Sequence, residues 1–213
     1  MKMNRCIIVL MLCCLLMVPS AQSQNIKTKR TKESKFVYMT SLGFNAGVGI
    51  LKFENRQIDN KISVFNVNQL LAYQFNPYVT SGIGLGVDVW KKTAFIPLTA
   101  NLSINFMDHF VTPHWYVNVG YAFKWYVSSK PEVMERVIQG ANPGWHLNSG
   151  LGAKIKIKDN LALLIAAEYR MQNTTLQYSV STNYGYDYSS VTTNRTVNKY
   201  YHFVGVKIGL WYW

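Results

Sequence analysis

The sequence predicts an all-β fold, an eight-stranded antiparallel up-and-down barrel that crosses a lipid bilayer, and three observations carry that prediction. Segments with apolar residues at every second position recur eight times along the 213-residue chain. No charged residue falls on the apolar face of any of them. The connections are mostly short after the even-numbered segments and longer after the odd ones. A period of two belongs to strands whose faces meet different surroundings, and its repetition with short turns and long loops is the pattern of a membrane barrel.

Residues 1–23 read as a secretory signal peptide: basic Lys2 and Arg5, an apolar run from Cys6 to Pro19, then Ala21-Gln22-Ser23 as the cleavage site. A membrane-spanning helix needs roughly 20 apolar residues, more than this run supplies. The bulky residues before each cysteine also fit lipid attachment poorly. All three cysteines (Cys6, Cys13, Cys14) lie in the signal, so the exported chain has no thiolate nucleophile, disulfide or Cys-based metal site. Losing Lys2 and Arg5 takes the net charge from +12 to +10. Such a charge on a cytosolic protein would suggest nucleic acid, and export argues against it. Residues 24–35, basic and poor in apolar side chains, read as a periplasmic tail, which leaves 36–213 for the barrel.

The first strand spans about 36–50 and the second 63–75, with the turn Asn76-Pro77-Tyr78 leading into the third, 79–90. Residues 94–106 make the fourth and 115–125 the fifth. The sixth covers 145–157 and turns at Lys158-Asp159-Asn160 into the seventh, 161–171; the eighth, 202–212, closes the ring. Its outward residues are His202, Val204, Val206, Ile208, Leu210 and Tyr212. A charge facing lipid at mid-depth costs about 2–4 kcal/mol, which accounts for the uncharged wall. The opposite face mixes glycines and asparagines with Asp88, Lys124, Lys154, Lys156, Glu168, Arg170 and Lys207, the small and large side chains that fill a narrow barrel. Trp90, Trp125, Trp145 and Tyr169 are expected to girdle the outer rim, and Tyr73, Phe75, Tyr78, Phe106, Trp115 and Tyr212 the inner one. Short turns on the periplasmic side put both mature termini there.

With these features the chain resembles the small outer-membrane barrels of the OmpX and OmpA transmembrane-domain type. More closely it resembles the exported porin-family or PorT-like barrels, through Tyr78 to Trp90 (YVTSGIGLGVDVW) followed by Ile96-Pro97-Leu98. The resemblance spans the exported chain and implies the bacterial outer membrane, its lipid as surroundings, and the barrel-assembly machinery as a partner. That machinery would read the closing strand, Ile208, Leu210, Tyr212 and Trp213.

An eight-stranded interior is only wide enough for its own side chains, so the seven lumen charges are expected to plug it as ion pairs, Glu168 and Arg170 being held by Lys124, Lys207 or Asp88. The alternative is a narrow passive channel for small solutes, and with two acids against five bases it would favour anions. A hydrolase would need a nucleophile beside a base; outward His202 and Ser149 lie on strands separated by a third, so no catalysis is expected. His109 and His114, in a turn, make a poor metal pair, and neither metal nor cofactor is expected. The third outer loop has Val133, Val137 and Ile138 at helical spacing and predicts a short amphipathic helix over 131–138. The fourth gathers Tyr178, Tyr184, Tyr186 and Tyr188 among Ser, Thr and Asn, a composition suited to binding an extracellular ligand or envelope protein, and also to a hairpin above the membrane. The expected role of the monomer is structural or recognitional, with membership of an envelope or secretion assembly as a further alternative.

Overall fold

A computed structural model describes residues 36–53, 56–90, 93–127, 132–133, 136–183 and 190–213. Residues 1–23 and 24–35, where a signal peptide and a basic tail are expected, and Tyr184, Tyr186 and Tyr188 lie outside the described residues. Eleven strands follow in order: β1 (Phe36–Val48), β2 (Ile50–Phe53), β3 (Arg56–Asp59), β4 (Ser63–Gln74), β5 (Val79–Trp90), β6 (Thr93–Asn105), β7 (Val111–Val127), β8 (Glu132–Val133), β9 (Arg136–Lys158), β10 (Leu161–Asn183) and β11 (Ser190–Tyr212).

Eight of them form the wall. β1, β4, β5, β6, β7, β9, β10 and β11 pair in that order, all antiparallel, and β11 returns to β1 from Tyr38↔Tyr212 to Val48↔His202. Closure removes the unpaired sheet edges that a bilayer would not tolerate. Side chains alternate along every wall strand as the period of two predicts: β1 reads exposed, buried, exposed, buried over most of its length. The distribution is inside-out relative to a soluble protein. Ile83 is 62% exposed, Leu85 55% and Val206 57%, whereas Asp88 is 0%, Arg170 1% and Lys207 2% exposed. Continuous exposed apolar surface around a charged interior is stable only where the outer solvent is lipid.

The elements depart from the sequence expectation in five places. β1 stops at Val48 because Gly49 takes a left-handed conformation (φ 84°), and Ile50 begins a separate hairpin in which β2 pairs with β3. β7 starts at Val111, so His114 lies in a strand with its ring buried in the lumen and only His109 remains in the turn. Residues 132–133 pair with 136–137 as a tight strand pair, which replaces the helix expected there: Val133 and Val137 satisfy a strand as well as a helical period. β9, β10 and β11 each run 23 residues, well beyond the expected bounds, and the fourth loop is the hairpin that its composition also allowed, registered from Leu161↔Tyr212 to Asn183↔Ser190. Above His202, where β1 ends, that hairpin rises roughly 40 Å along the strand at about 3.3 Å per residue. Trp90 is not a rim residue, since its even parity turns it into the lumen, where it is 6% exposed. Within β6, Pro97 offers no N–H, and the ladder to β5 is interrupted between Leu85↔Leu98 and Asp88↔Phe95.

Candidate functional site: the filled lumen

Alternate positions of eight strands converge inside the barrel, and they are filled in three layers. At the short-turn end Val37, Met39, Leu70, Ala72, Ala162, Leu164, Ala166, Tyr116 and Trp211 pack into an apolar cluster with Trp213 against it. Lys154 lies over the rings of Trp211 (4.9 Å) and Trp213 (5.6 Å). His114 meets Trp211 edge-on and shares a hydrogen bond with Asn105.

The middle layer holds the charges. Lys207 Nζ reaches Glu168 Oε2 at 2.8 Å, and the same carboxylate accepts hydrogen bonds from Tyr116 Oη (2.8 Å), Asn148 Nδ2 (2.9 Å) and Asn45 Nδ2 (2.7 Å). Nζ of Lys207 also sits 4.5 Å from the centre of the Tyr116 ring. One step higher, Arg170 forks onto Asp88: Nη1 donates to Oδ1 at 3.0 Å and Nη2 to Oδ2, a planar pairing across 82 residues of chain. Arg170 Nε has no partner among the described residues. Beside it His146 and Gln172, in register, share a hydrogen bond, and the Gln172 amide donates to the Gly144, Trp145 and Asn173 carbonyls.

The upper layer is apolar again. Val64, Trp90, Phe95, Ala122, Tyr201 and Phe203 pack with Leu51 from the β2–β3 hairpin and with Ile62. Trp90 is central: Phe95, Tyr201 and Phe203 meet it edge-on at 5.1, 5.4 and 5.0 Å.

Closed eight-stranded wall, apolar exterior and polar interior are the attributes of one architecture. The chain has the fold of the small outer-membrane β-barrels. It is similar to neisserial surface protein A, with a TM-score of 0.52 and 10% identity over 84% of this chain and 97% of that one. The outer membrane protein OprG of Pseudomonas aeruginosa is similar at a TM-score of 0.44 and 12% identity, covering 82% and 94% of the two chains. The outer membrane protein AlkL, solved in lipid bilayers, gives 0.45 and 12% identity over 89% and 95%. No sequence-family model and no curated protein sequence matches the chain.

For an outer-membrane barrel of this width, inward parity alone does not place a charge in the packed centre. Asp88, Glu168, Arg170 and Lys207 are brought together there, but Arg170 holds Asp88 and not Glu168. Lys124 and Lys156 are exposed, because both lie near strand ends where inward no longer means enclosed. Lys154 belongs to the aromatic cluster below. The enclosed middle layer is therefore balanced, two acids against two bases, and lacks the positive excess expected from the sequence. Tyr178 lies within β10, while outward Ile208 and Leu210 are exposed and Tyr212 and Trp213 half-buried. On the wall, Ser149 accepts from Trp115 Nε1 and donates to the Tyr116 carbonyl, and His202 shares a 2.6 Å hydrogen bond with Tyr169 Oη. Sequence reasoning did not single out Tyr116 or the Trp90 cluster. Their inward parity was available as a signal; their depth and partners were not.

Proposed function

We propose that the protein is a closed outer-membrane barrel, monomeric and non-catalytic, that acts as a structural or recognition element through the hairpins above its long-loop end. The observation that carries this reading is the lumen: a neutral double ion pair lies between two apolar layers, which opposes passage of a hydrated solute. The scaffold is thus rigid and filled, and the surface left for recognition is the β9–β10–β11 extension, with Tyr178 on β10 and Tyr184, Tyr186 and Tyr188 in the sequence that joins β10 to β11. In this reading short turns and both mature termini face the periplasm, residues 1–23 are removed on export, and the assembly machinery engages Ile208, Leu210, Tyr212 and Trp213 on β11.

The test uses two measurements. Bilayer recordings of the refolded protein are expected to show no steady conductance; a large, sustained one would establish the channel instead. Replacing residues 179–194 by Asn-Gly, joined where Tyr178 faces Arg195, is expected to keep heat-modifiable folding in detergent while abolishing adhesion of cells bearing the protein to matrix or to partner cells. Unchanged adhesion would remove the recognition role.

A further inference from the structure

We infer that the upper layer of the lumen is a ligand site: a cup for a flat, mostly apolar molecule carrying one hydrogen-bond acceptor, closed by the β2–β3 hairpin. Two independent observations support it. The first is an unanswered donor. Trp90 is 6% exposed, and its indole Nε1, itself buried, has no partner among the described residues. A buried N–H left unpaired costs free energy that an acceptor from a ligand would recover. The indole is enclosed by Phe95, Tyr201 and Phe203, so the acceptor must arrive on a molecule that tolerates aromatic walls. Below lie Asp88 and Arg170, joined by the two-pronged ion pair, and they form a floor.

The second observation is the way the cup is covered. Leu51 reaches into the cluster from a two-stranded sheet that is separate from the barrel wall. β2 and β3 contribute only four residues each, and among the described residues two points tie the ends of the hairpin to the wall. At one point Gly49 supplies a left-handed bend. At the other Asn60 donates its backbone N–H to the Gly49 carbonyl at 2.9 Å and its side-chain amide to the His202 carbonyl at 2.8 Å. A short two-stranded sheet outside the wall ladder opens at far lower cost than the wall. Rotation about Gly49 and Asn60 withdraws Leu51 and leaves an apolar space beside the indole N–H. Dry apolar cavities of that kind take up small apolar molecules. The cup is a dead end, so it binds without conducting, and it does not depend on the protruding hairpin.

The probes are 2-acetylnaphthalene and 2-ethylnaphthalene, equal in shape but differing in a carbonyl. Each is titrated into the refolded protein in detergent micelles while the indole N–H resonances are followed. The ketone is expected to shift the Trp90 resonance saturably and to bind about fivefold tighter than the hydrocarbon, the value of one neutral hydrogen bond. Trp90→Phe is expected to erase that difference while both probes still bind. Leu51→Ala, which removes the side chain filling the cup, is expected to tighten both about tenfold. Non-saturating shifts confined to outward Trp115 and Trp125 would mean partition into detergent and would overturn the proposal. So would discrimination that survives in Trp90→Phe, or affinity unchanged by Leu51→Ala.

Discussion

Asp88 and Glu168 are both acids buried in the lumen with a base against them, yet their surroundings differ. Glu168 has Lys207 and three neutral donors, Tyr116, Asn45 and Asn148. For Asp88 the structure gives the fork of Arg170, whose Nε is itself unanswered among the described residues. A carboxylate with several donors remains solvated by protein when its cation is removed; one that depends on a single guanidinium does not. The value of each pair therefore lies as much in the neutral shell as in the opposite charge.

The largest effect is expected from Arg170→Met, which strands Asp88 and should cost about 3–5 kcal/mol in urea unfolding from lipid vesicles. Next comes Leu85→Arg, which sets an unpaired charge on the lipid side of the same strand β5 and should cost about 2–4 kcal/mol. Gly84→Ser, one residue away and inward, is expected to be milder, because the nearest atom to the new Cβ is the rotatable Thr99 hydroxyl at 2.8 Å. Reversal of that order would mean the faces of β5 are misassigned. Lys207→Met is expected to cost about 2 kcal/mol, less than Arg170→Met, since Glu168 keeps its three donors. Equal losses in the two variants would show that the shell contributes nothing. Smallest of all, joint replacement of Asp88 and Arg170 by Leu is expected to change stability by about 1 kcal/mol or less, because neither charge is left behind.

The barrel was legible because lipid outside and packed side chains inside impose the same period of two on every wall strand, and inward parity identified Asp88, Glu168, Arg170 and Lys207. Which acid meets which base was not legible, since Arg170 and Asp88 are joined across the barrel and their meeting depends on strand stagger and tilt. Trp90 shows two rules in conflict: an aromatic at a strand end suggests a girdle, while its parity points inward, and parity decided. The hairpin of β10 and β11 was one of two readings of the fourth loop, but its register and length were not legible, for a different reason. Both faces of that hairpin lie beyond the wall, so residues such as Thr192, Asn194, Thr196 and Asn198 carry no apolar alternation to read.

Resistance to bursting in a closed ring is set by its weakest seam. Between β5 and β6 the ladder is interrupted at the level of Pro97, directly below the Asp88↔Phe95 pair. The fork from Arg170 ties Asp88 on β5 to β10, on another part of the ring. It is a spoke set just above the discontinuity, carrying strain that missing rungs cannot. A barrel braced in this way fails by unzipping along one line: amide exchange at Gly86, Val87 and Ile96 outpaces the rest of the wall, and loss of the spoke turns that local opening into rupture of the whole hoop.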